Sequence, residues 1–380
     1  MPEPLHIGIA GAGLLGRLLA WRLARAGHRV AVFDPAAGPE GVLRSRAPEP
    51  YLPTAAGFTA AGMLSPLAEL DNAEPAVAAL GWRSLPLWRC IAAALPGHPF
   101  FAAQGSLMVA HRADAGAAQR VLDRLRAATA TPEWRVLSPA EGVQPLDSAA
   151  LRELEPAVQG PAQAWLLPGE GQIDTVATLN ALHAAAEGVL WHWRQPVRAV
   201  EAGEGGGTLA LADGRVLAFD AVIDVRGTGA RPQWAVRGVR GEVAWLHAPG
   251  HGLQRPVRLL HPRHRVYLVP RPGDVVLVGA SEIESEDRSP ASLRSVVELL
   301  AAAHSVVPAL AEARILALDV NLRPALPDNA PRVEHGPRLL RINGLFRHGW
   351  LLAPALVDQA LRDNGWAGDG LAPEPIAASA

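Results

Sequence analysis

The first thirty-four residues constrain the fold of this 380-residue chain more than any other stretch. Residues 5–10 (LHIGIA) predict a short buried strand, and a glycine turn, GAGLLG, follows at residues 11–16. Leucines at helical spacing then predict a helix that ends at Gly27, a residue suited to a left-handed C-terminal cap. Residues 29–33 (RVAVF) predict a second strand, and Asp34 stands at its end. Strand, glycine turn, helix, strand and acid form the first unit of a dinucleotide-binding fold.

Each part of this unit has a physical role. Gly11 permits the tight turn out of the strand, Gly13 lets the backbone approach a pyrophosphate, and Gly16 lets the helix pack closely on the sheet. The helix N-terminus offers unpaired N–H groups to phosphates. Asp34 is placed to accept hydrogen bonds from ribose hydroxyls, and its charge argues against a 2′-phosphate. A plain turn of a parallel sheet is the alternative, but the joint presence of all these parts favours dinucleotide binding.

Composition excludes several classes of chemistry. The formal net charge of −2 argues against a general nucleic-acid binder and against an anionic-membrane binder. All 35 basic residues are arginine, which excludes a lysine Schiff base and a lysine general base. The single cysteine, Cys90, excludes an intramolecular disulfide and a thiolate metal cluster. No apolar run reaches the roughly 18 residues of a transmembrane helix, so a cytoplasmic enzyme is expected.

The histidines do not predict a metal site. His247 and His251 are four residues apart, but Pro249 and Gly250 between them prevent a shared helix face. His261 and His264 flank another proline in a turn. We therefore expect no bound metal.

The order of elements predicts two interleaved domains in a mixed α/β and α+β protein. A Rossmann-like nucleotide-binding domain is expected to alternate with a second domain built on an antiparallel sheet. A second glycine turn, with Gly227 and Gly229, follows a buried strand and suggests another backbone contact to the cofactor. Only one dinucleotide fingerprint is visible, which favours one tightly held cofactor over two nucleotides. The expected segments are 1–70, 168–235 and 316–366 for the nucleotide domain, 71–167 and 236–315 for the second, and 367–380 for a tail.

Two helix starts are predicted by capping residues. Residues 85–95 predict a helix with Ser84 as its N-cap and Pro86 in its first turn. Asp174 is expected to cap a helix over residues 175–186. A last helix is expected over residues 351–361.

Motifs along nearly the whole chain resemble the D-amino-acid-oxidase superfamily of FAD-dependent amine oxidases, and most resemble its glycine oxidase branch, which is linked to thiamine biosynthesis. The order and spacing of these motifs are more specific than any one of them. Beside GAGLLG and Asp34, they are AAGMLSP at 60–66, GSLMVA at 105–110, LPGEGQIDT at 167–175, VRGVRGEV at 236–243, VYLVPRPGDVVLVGASEI at 266–283, LRPALPDNAP at 322–331 and INGLFRHGWLLAP at 342–354.

The resemblance implies non-covalently bound FAD and a substrate site beside it. Arg323 would bind the substrate carboxylate, Tyr267 would face the substrate over the flavin, and Arg347 would line the pocket near the flavin edge. The helix after Trp350 would direct its N-terminus at the flavin pyrimidine and stabilise the reduced anion. The residues expected to bind the cofactor are Gly11, Ala12, Gly13, Leu14, Leu15, Gly16, Asp34, Ala60, Ala61, Gly62, Met63, Gly227, Gly229, Arg347, His348, Gly349, Trp350 and Leu351.

The chain departs from the family pattern around the pocket. Arg265 stands where a histidine is usual, and Asn321 replaces a usual glycine. The segment from Ile342 to Gly349 differs from the usual A-T-G-H-Y-R-N-G, with Leu345 and His348 among the changes. These departures affect the identity of the substrate more than the cofactor or the class of reaction.

The reaction implied is oxidation of a small, glycine-like amino acid or secondary amine. Hydride would pass from Cα to flavin N5, giving the imine, and dioxygen would reoxidise the flavin to give hydrogen peroxide. A dehydrogenase with another electron acceptor is one alternative, and a flavin-binding or tRNA-modifying relative with lost or different chemistry is another. The family often forms homo-oligomers. From the residues alone, Arg323 and Arg347 could instead form ordinary ion pairs, and Tyr267 could be a core residue.

Overall fold

The computed structural model describes residues 4–41, 54–130, 142–261 and 265–367. Most of the proline- and glycine-rich segment at 35–53, the tail beyond residue 367 and the side chain of Arg265 lie outside the described part. The strands are β1 His6–Ala10, β2 Arg29–Asp34, β3 Met63–Leu64, β4 Phe101–Ala102, β5 Ser106–Ala110, β6 Gln144–Leu146, β7 Gln163–Leu167, β8 Gly171–Ile173, β9 Leu190–Trp193, β10 Val197–Gly203, β11 Gly206–Leu211, β12 Val216–Phe219, β13 Ala221–Asp224, β14 Arg237–His247, β15 Val257–Leu260, β16 Arg265–Arg271, β17 Val275–Gly279, β18 Arg314–Ala325, β19 Arg332–Gly336 and β20 Leu339–Asn343.

The α-helices connect the strands along the chain. They are α1 Leu14–Arg25, α2 Ala56–Thr59, α3 Pro66–Glu69, α4 Pro75–Ala94, α5 Ala115–Thr129, α6 Ser148–Leu154, α7 Thr175–Ala185, α8 Leu293–Val306 and α9 Gly349–Asp363. No helix among the described residues is both long enough and apolar enough to cross a membrane.

The first sheet is the predicted nucleotide-binding sheet. Its six strands lie in the order β19-β20-β13-β1-β2-β9, and all neighbours are parallel except β19 and β20. β1 is central, so the glycine turn that follows it lies between β2 and β13 at the carboxyl edge of the sheet. This is the edge at which open α/β sheets bind ligands. Gly27 has a φ of +88° after α1, which confirms the predicted left-handed cap.

The second sheet has eight strands in the order β18-β14-β17-β16-β15-β5-β7-β6. Its pairs are antiparallel except β15 and β5, which run parallel; residues 111–256 between them supply the long connection that a parallel pair requires. Two three-stranded sheets, β10-β11-β12 and β3-β8-β4, are not hydrogen-bonded into either large sheet. The mixed α/β architecture agrees with the predicted fold class, but the second sheet is mixed rather than purely antiparallel.

The long strand β18 belongs to the eight-stranded sheet along its whole length, so the chain leaves that sheet later than the sequence predicts. Its partner β14 pairs with it from Arg314 opposite His247 to Ala325 opposite Arg237. Residues 316–325 therefore belong to the eight-stranded sheet, whereas the sequence-based division had placed them in the nucleotide domain. The chain returns to the six-stranded sheet at β19.

The predicted helix start at Ser84 is wrong. α4 begins at Pro75, so Ser84 lies in mid-helix and is buried, where its Oγ accepts a hydrogen bond from the Ala355 N–H of α9. Pro86 was expected in the first turn of the helix, but it lies inside α4, and Pro75 occupies the first turn instead. α4 packs against α9 and continues through Pro86. The Asp174 cap, in contrast, is confirmed, because its carboxylate accepts from the Ala177 N–H at 3.0 Å.

Candidate active site

A cavity of about 1250 Å³ extends from the glycine turn after β1 to the face of the eight-stranded sheet. Residues of both large sheets line it, together with the loops between them. This volume lies above the roughly 300–1000 Å³ of an ordinary small-molecule pocket, so it suits a long ligand.

The glycine turn forms one end of the cavity. Gly11 has a φ of +106°, and a Cβ there would come within 2.6 Å of the Val225 carbonyl. A Cβ on Gly16 would meet the Gly11 carbonyl at 1.8 Å, so this glycine permits close packing of α1. Gly13 differs, because a Cβ there would meet no protein atom closer than 3.5 Å, and the residue lines the cavity. The protein's own packing therefore does not require glycine at position 13. A ligand that lies close to this backbone would explain the glycine.

Asp34 is fixed at the same end. One carboxylate oxygen accepts from the Ala12 N–H at 2.7 Å and the other from the Ala36 N–H at 2.8 Å. Burial raises the pKa of Asp34, and these two hydrogen bonds and the Arg17 charge oppose the rise. Each carboxylate oxygen can accept a further bond, so capacity remains for hydroxyl groups in the cavity.

The start of α1 completes this end of the cavity. Gly13 is its N-cap, no side chain caps the helix, and no acidic residue occupies its first turn. Leu14 and Leu15 of that turn line the cavity. The unpaired N–H groups and the helix dipole favour an anion here.

Three hydrogen bonds to backbone carbonyls fix the loop of residues 60–63. Thr175 Oγ1 donates to the Ala60 carbonyl at 3.0 Å, and the Ile173 N–H donates to the Gly62 carbonyl at 2.9 Å. The buried guanidinium of Arg271 donates to the Ala61 carbonyl. Burial lowers the pKa of Arg271 to about 10. The loop therefore presents a rigid backbone to the cavity.

Glu69 lines the cavity and contacts the residues at the start of α9. Its Oε2 lies 2.8 Å from the Arg347 guanidinium and 2.9 Å from His348 Nε2, and its Oε1 lies 3.4 Å from Arg258. Burial alone would raise the pKa of Glu69, but the His348 hydrogen bond and the charges of Arg347 and Arg258 hold that pKa well below its ordinary range. Glu282, half-exposed, is a second carboxylate near Arg347 at 3.6 Å. Arg347 therefore forms ion pairs with Glu69 and Glu282, as the alternative interpretation from the sequence had it.

Arg323 lies on β18 over a space left by Gly241 of β14. A Cβ on Gly241 would come within 2.6 Å of three atoms of the guanidinium. Arg323 donates to the carbonyls of Ser281 at 3.0 Å and Arg240 at 3.4 Å, and it pairs with no carboxylate among the described residues. A cationic fork without an acidic partner in a cavity is suited to a ligand carboxylate.

Tyr267 of β16 also fills the space over a glycine of a neighbouring strand. Its ring lies over Gly279 of β17, where a Cβ would come within 2.7 Å of the ring and hydroxyl. Burial raises the pKa of Tyr267, and the positive charges of Arg323 and Arg258 oppose the rise. The phenol therefore stays protonated and can donate a hydrogen bond.

Asn321, one of the departures from the family pattern, joins β18 to α2 and to Thr54, two residues before that helix. Its amide nitrogen lies 3.1 Å from Thr59 Oγ1 and 3.3 Å from the Thr54 carbonyl, and Thr59 in turn donates to Asp319 at 2.6 Å. Asp319, Asn321 and Arg323 share one face of β18 because they alternate along the strand. Asn321 and Leu345, another departure, both line the cavity.

Most of the predicted site residues line this cavity, and four do not. Ala12 and Gly16 are buried within the glycine turn, His348 contacts Glu69, and Leu351 is buried beside Gly81 of α4. The predicted residues that line it are Gly11, Gly13, Leu14, Leu15, Asp34, Ala60, Ala61, Gly62, Met63, Gly227, Gly229, Tyr267, Arg323, Arg347, Gly349 and Trp350.

The sequence-based reasoning missed Glu69, Arg258 and Arg271. Glu69 lies only three residues beyond the AAGMLSP motif, and Arg271 lies within the matched VYLVPRPGD motif, so both could have been singled out. Arg258 lies in no motif, and only the pairing of β15 with β16 places it beside Tyr267.

The residues present fit a flavin dinucleotide. An uncapped helix and the bare Gly13 backbone suit a pyrophosphate, and Asp34 suits a ribose. At the other end, α9 begins without a side-chain cap or an acidic first turn, and a Cβ on Gly349 would meet nothing within 4 Å. A second helix N-terminus therefore faces open space, where it can stabilise negative charge on a ring system.

A dinucleotide-binding sheet that shares one large cavity with a second sheet is the arrangement of a nucleotide-dependent enzyme. The chain belongs to the DAO family of FAD-dependent oxidoreductases, whose family model matches residues 6–358.

Individual relatives agree with this family. A protein of Rhizobium etli named as a thiamine biosynthesis oxidoreductase, ThiO, is 37% identical over 362 residues, which cover 94% of this chain and 96% of the relative. Glycine oxidase of Geobacillus kaustophilus is 28% identical over 378 residues, covering 93% of this chain and 91% of the relative. The crystal structure of glycine oxidase from Geobacillus kaustophilus superposes with a TM-score of 0.77 at 26% identity, covering 95% of this chain and 94% of that one.

Proposed function

We propose that the protein oxidises a small, glycine-like amino acid or secondary amine to its imine, with dioxygen as electron acceptor and hydrogen peroxide as the second product. The observation that carries this proposal is the Arg323 guanidinium, which faces the cavity without an acidic partner among the described residues. The names of the relatives, a glycine oxidase and a thiamine-biosynthesis oxidoreductase, support a small amino-acid substrate.

Arg323 would bind the substrate carboxylate through two parallel N–H···O hydrogen bonds. Its planar fork fixes the orientation of the carboxylate, and therefore of Cα, more strictly than a point charge could. The gain is mainly one of proximity, since orientation removes entropy from the barrier. Tyr267, beside Arg323, would close the wall and exclude water from the carboxylate.

The substrate amine would have to arrive without its extra proton, because the cavity offers no suitable base at Glu69. That carboxylate is committed to Arg347 and His348, and its low pKa makes it a poor proton acceptor at neutral pH. Bound FAD would supply the two-electron acceptor for the hydride of the substrate Cα, and dioxygen would be the final acceptor of those electrons. Each turnover removes two electrons and two protons from the amine and places them on dioxygen.

We also propose a division of labour between the sheets. The six-stranded sheet, with residues 60–63 and the start of α9, would hold the cofactor, and the eight-stranded sheet would supply Arg323 and Tyr267 to the substrate. β18 would then belong to the substrate side.

The purified holoenzyme allows a direct test. Glycine, other small amino acids and N-methylated amines are added without oxygen, and bleaching of the flavin absorption band is followed. Oxygen is then admitted and peroxide is measured in proportion to the bleached flavin. Bleaching followed by one peroxide per flavin is expected. Bleaching without peroxide would exclude dioxygen as the acceptor, and a flavin that no amine bleaches would reject the proposed reaction.

A further inference from the structure

A second arginine faces the cavity beside Tyr267. Arg258 lies on β15 directly opposite Tyr267 of β16, and Met108 of β5 lies on its other side. Directly opposed residues point to the same face of a sheet, and both Arg258 and Tyr267 line the cavity. Arg258 therefore extends the substrate wall beyond the residues already described.

Along this face the order is Arg323, Tyr267 and Arg258. The Arg323 guanidinium lies over Gly241 of β14, and the Tyr267 ring lies over Gly279 of β17, the strand between β14 and β16. The ends of this row, Arg323 of β18 and Arg258 of β15, lie four strand spacings apart, or about 19 Å at about 4.8 Å a spacing. The Arg323 guanidinium already lies over β14, so about 14 Å remains between it and the backbone of β15, and the Arg258 side chain can close part of that distance. The row suits a ligand of a few carbon atoms with an anionic group at each end.

Arg258 keeps most of its hydrogen-bonding capacity. Its contact with a carboxylate is the 3.4 Å approach to Oε1 of Glu69, whereas Oε2 of Glu69 is held more closely by Arg347 and His348. Its Nε–H has no hydrogen-bond partner, although the atom is buried. A guanidinium has five N–H donors, and leaving buried donors unsatisfied costs free energy. The Nε–H is closed off, but the Arg258 side chain is 13% exposed and lines the cavity, so its terminal N–H groups can donate to an acceptor there.

We propose that Arg258 binds a second carboxylate of the substrate, so that the preferred substrates are dicarboxylic amines. One carboxylate would be held at Arg323, and the other, carried on the amino nitrogen or on the side chain, would reach Arg258 past the Tyr267 ring. This substrate class rests on the proposed amine oxidation, but the binding preference does not require turnover. The role of Arg258 is to select substrates, and Glu69 orients it.

A pair of ligands that cannot be oxidised at an amine separates binding from chemistry. Thiodiacetate carries two carboxylates, and (ethylthio)acetate replaces one of them with a methyl group at nearly the same size. Their dissociation constants are measured on the holoenzyme from the perturbation of the flavin absorption spectrum. A charge-assisted hydrogen bond to a buried arginine should make the diacid bind about tenfold more tightly. Equal affinity of the two ligands would overturn the proposal.

Variants assign the preference to Arg258. Arg258→Met should reduce the preference to less than about twofold, because it keeps a side chain of similar length but removes all the donors. Arg120→Met, at an exposed arginine on α5 outside the cavity, should keep the full preference. If Arg258→Met fails to retain flavin, Arg258→Lys replaces it: lysine keeps the charge beside Glu69 but loses the fork, so the preference should fall to about threefold or less. A full preference in either Arg258 variant would contradict the assignment.

Turnover then distinguishes failure of this inference from failure of the proposed function. Iminodiacetate and N-ethylglycine form the matched reactive pair, and kcat/KM should favour the diacid about tenfold in the unaltered enzyme. Oxidation of both amines at equal kcat/KM would reject the role of Arg258 and leave the amine oxidase standing. Oxidation of neither, with a tenfold preference for thiodiacetate, would reject the reaction and support the second carboxylate site.

Discussion

Gly241 and Gly279 have no side chains and so leave room for two larger side chains that line the cavity. Each lies across from the strand that carries a functional residue, and each leaves space that this residue fills. The Arg323 guanidinium occupies the space above Gly241, and the Tyr267 ring occupies the space above Gly279. At residue scale, the two glycines therefore leave the space in which the Arg323 guanidinium and the Tyr267 ring lie.

Gly241→Ala tests this dependence. The new Cβ would come within 2.6 Å of the Arg323 guanidinium, and the flexible end of that side chain can move aside at little cost in folding free energy. The apparent affinity for carboxylated substrates should therefore fall about tenfold, while FAD stays bound and the melting temperature changes little. Gly116→Ala, in α5, is the matched control, because its Cβ would meet nothing closer than 4.0 Å. A Gly241→Ala enzyme with unchanged KM would show that Arg323 need not lie over this strand.

Arg323→Ala tests the carboxylate site itself. Loss of a charge-assisted pair costs about 1.5–3 kcal/mol, which corresponds to a rise in KM or Kd of about tenfold to a hundredfold. FAD should still be bound, because Arg323 lies on the eight-stranded sheet, away from the glycine turn. Substrate titrations under anaerobic conditions measure the change. Arg120→Ala should leave it at the value of the unaltered enzyme, and an unchanged affinity in Arg323→Ala would remove this residue from the substrate site.

At the scale of elements, Glu69 joins the short helix α3 to the segment that leads into α9. It is the last residue of α3, and its carboxylate contacts both Arg347 and His348, the two residues before the helix begins. α9 also receives the buried Trp88 of α4, whose indole N–H donates to the Trp350 carbonyl at 2.7 Å. The start of α9 is thus fixed from two sides, which keeps its N-terminus directed at the cavity.

Glu69→Gln should loosen this connection. Removing one partner of a buried ion pair leaves positive charge without compensation, and about 3 kcal/mol of stability is expected to be lost. The affinity for FAD should fall as well, because the start of α9 loses its anchor. Thermal unfolding and flavin titration measure the two effects. Glu282→Gln is the control, since Glu282 is half-exposed and its contact with Arg347 is longer, so it should cost less than about 1 kcal/mol. Equal costs for the two variants would contradict the assigned role of Glu69.

The first βαβ unit could be predicted from sequence because all its signals are local. A strand, a glycine turn, a helix with a glycine cap and an acid lie within thirty-four residues, and each needs only its neighbours to be recognised. β1, α1 and β2 follow the prediction closely, and the Gly13 backbone and Asp34 face the cavity. The eight-stranded sheet was predicted less completely, because the pairing of β15 with β5 depends on residues about 150 positions apart.

The unpredicted parts of the candidate site depend on contacts between distant segments. Ser84 and Pro86 suggested a helix start, since nothing in their own stretch indicates that α9 packs against them. Glu69 is remote in sequence from Arg347, and Arg258 acquires its place only when β15 pairs with β16. Arginine is the only basic residue type in this chain, so its presence at a position says little until its partners are known.

At the scale of the whole molecule, Glu170 is a fully buried carboxyl group at a junction of several elements. It precedes β8, accepts a hydrogen bond from the Ala68 N–H of α3 at 2.9 Å and accepts another from the Ser106 hydroxyl of β5. Burial raises the pKa of Glu170 to about 7, although these hydrogen bonds and the charge of Arg258 oppose the rise. Unfolding would release this carboxyl group to water.

Glu170 should therefore make the stability of the whole protein depend on pH. An ordinary glutamate has a pKa of 4.5, and folding raises it to about 7 here, so between these values the folded state holds more protons than the unfolded state. The stabilising contribution is complete below about pH 4.5 and is lost as the pH rises toward 7, by roughly 3 kcal/mol in total. Glu170→Gln removes this titration, so its stability relative to the unaltered protein should rise between pH 5 and pH 8.

Chemical unfolding at a fixed excess of FAD, repeated across this range, measures the difference between the two proteins. The comparison cancels the titration of other groups, and the fixed FAD concentration holds the stabilisation by ligand binding nearly constant. Glu187→Gln, at an exposed turn, should give a difference that does not change with pH. If the difference between Glu170→Gln and the unaltered protein is also constant, Glu170 does not titrate in this window, and the junction between α3, β5 and β8 keeps its charge state from pH 5 to pH 8.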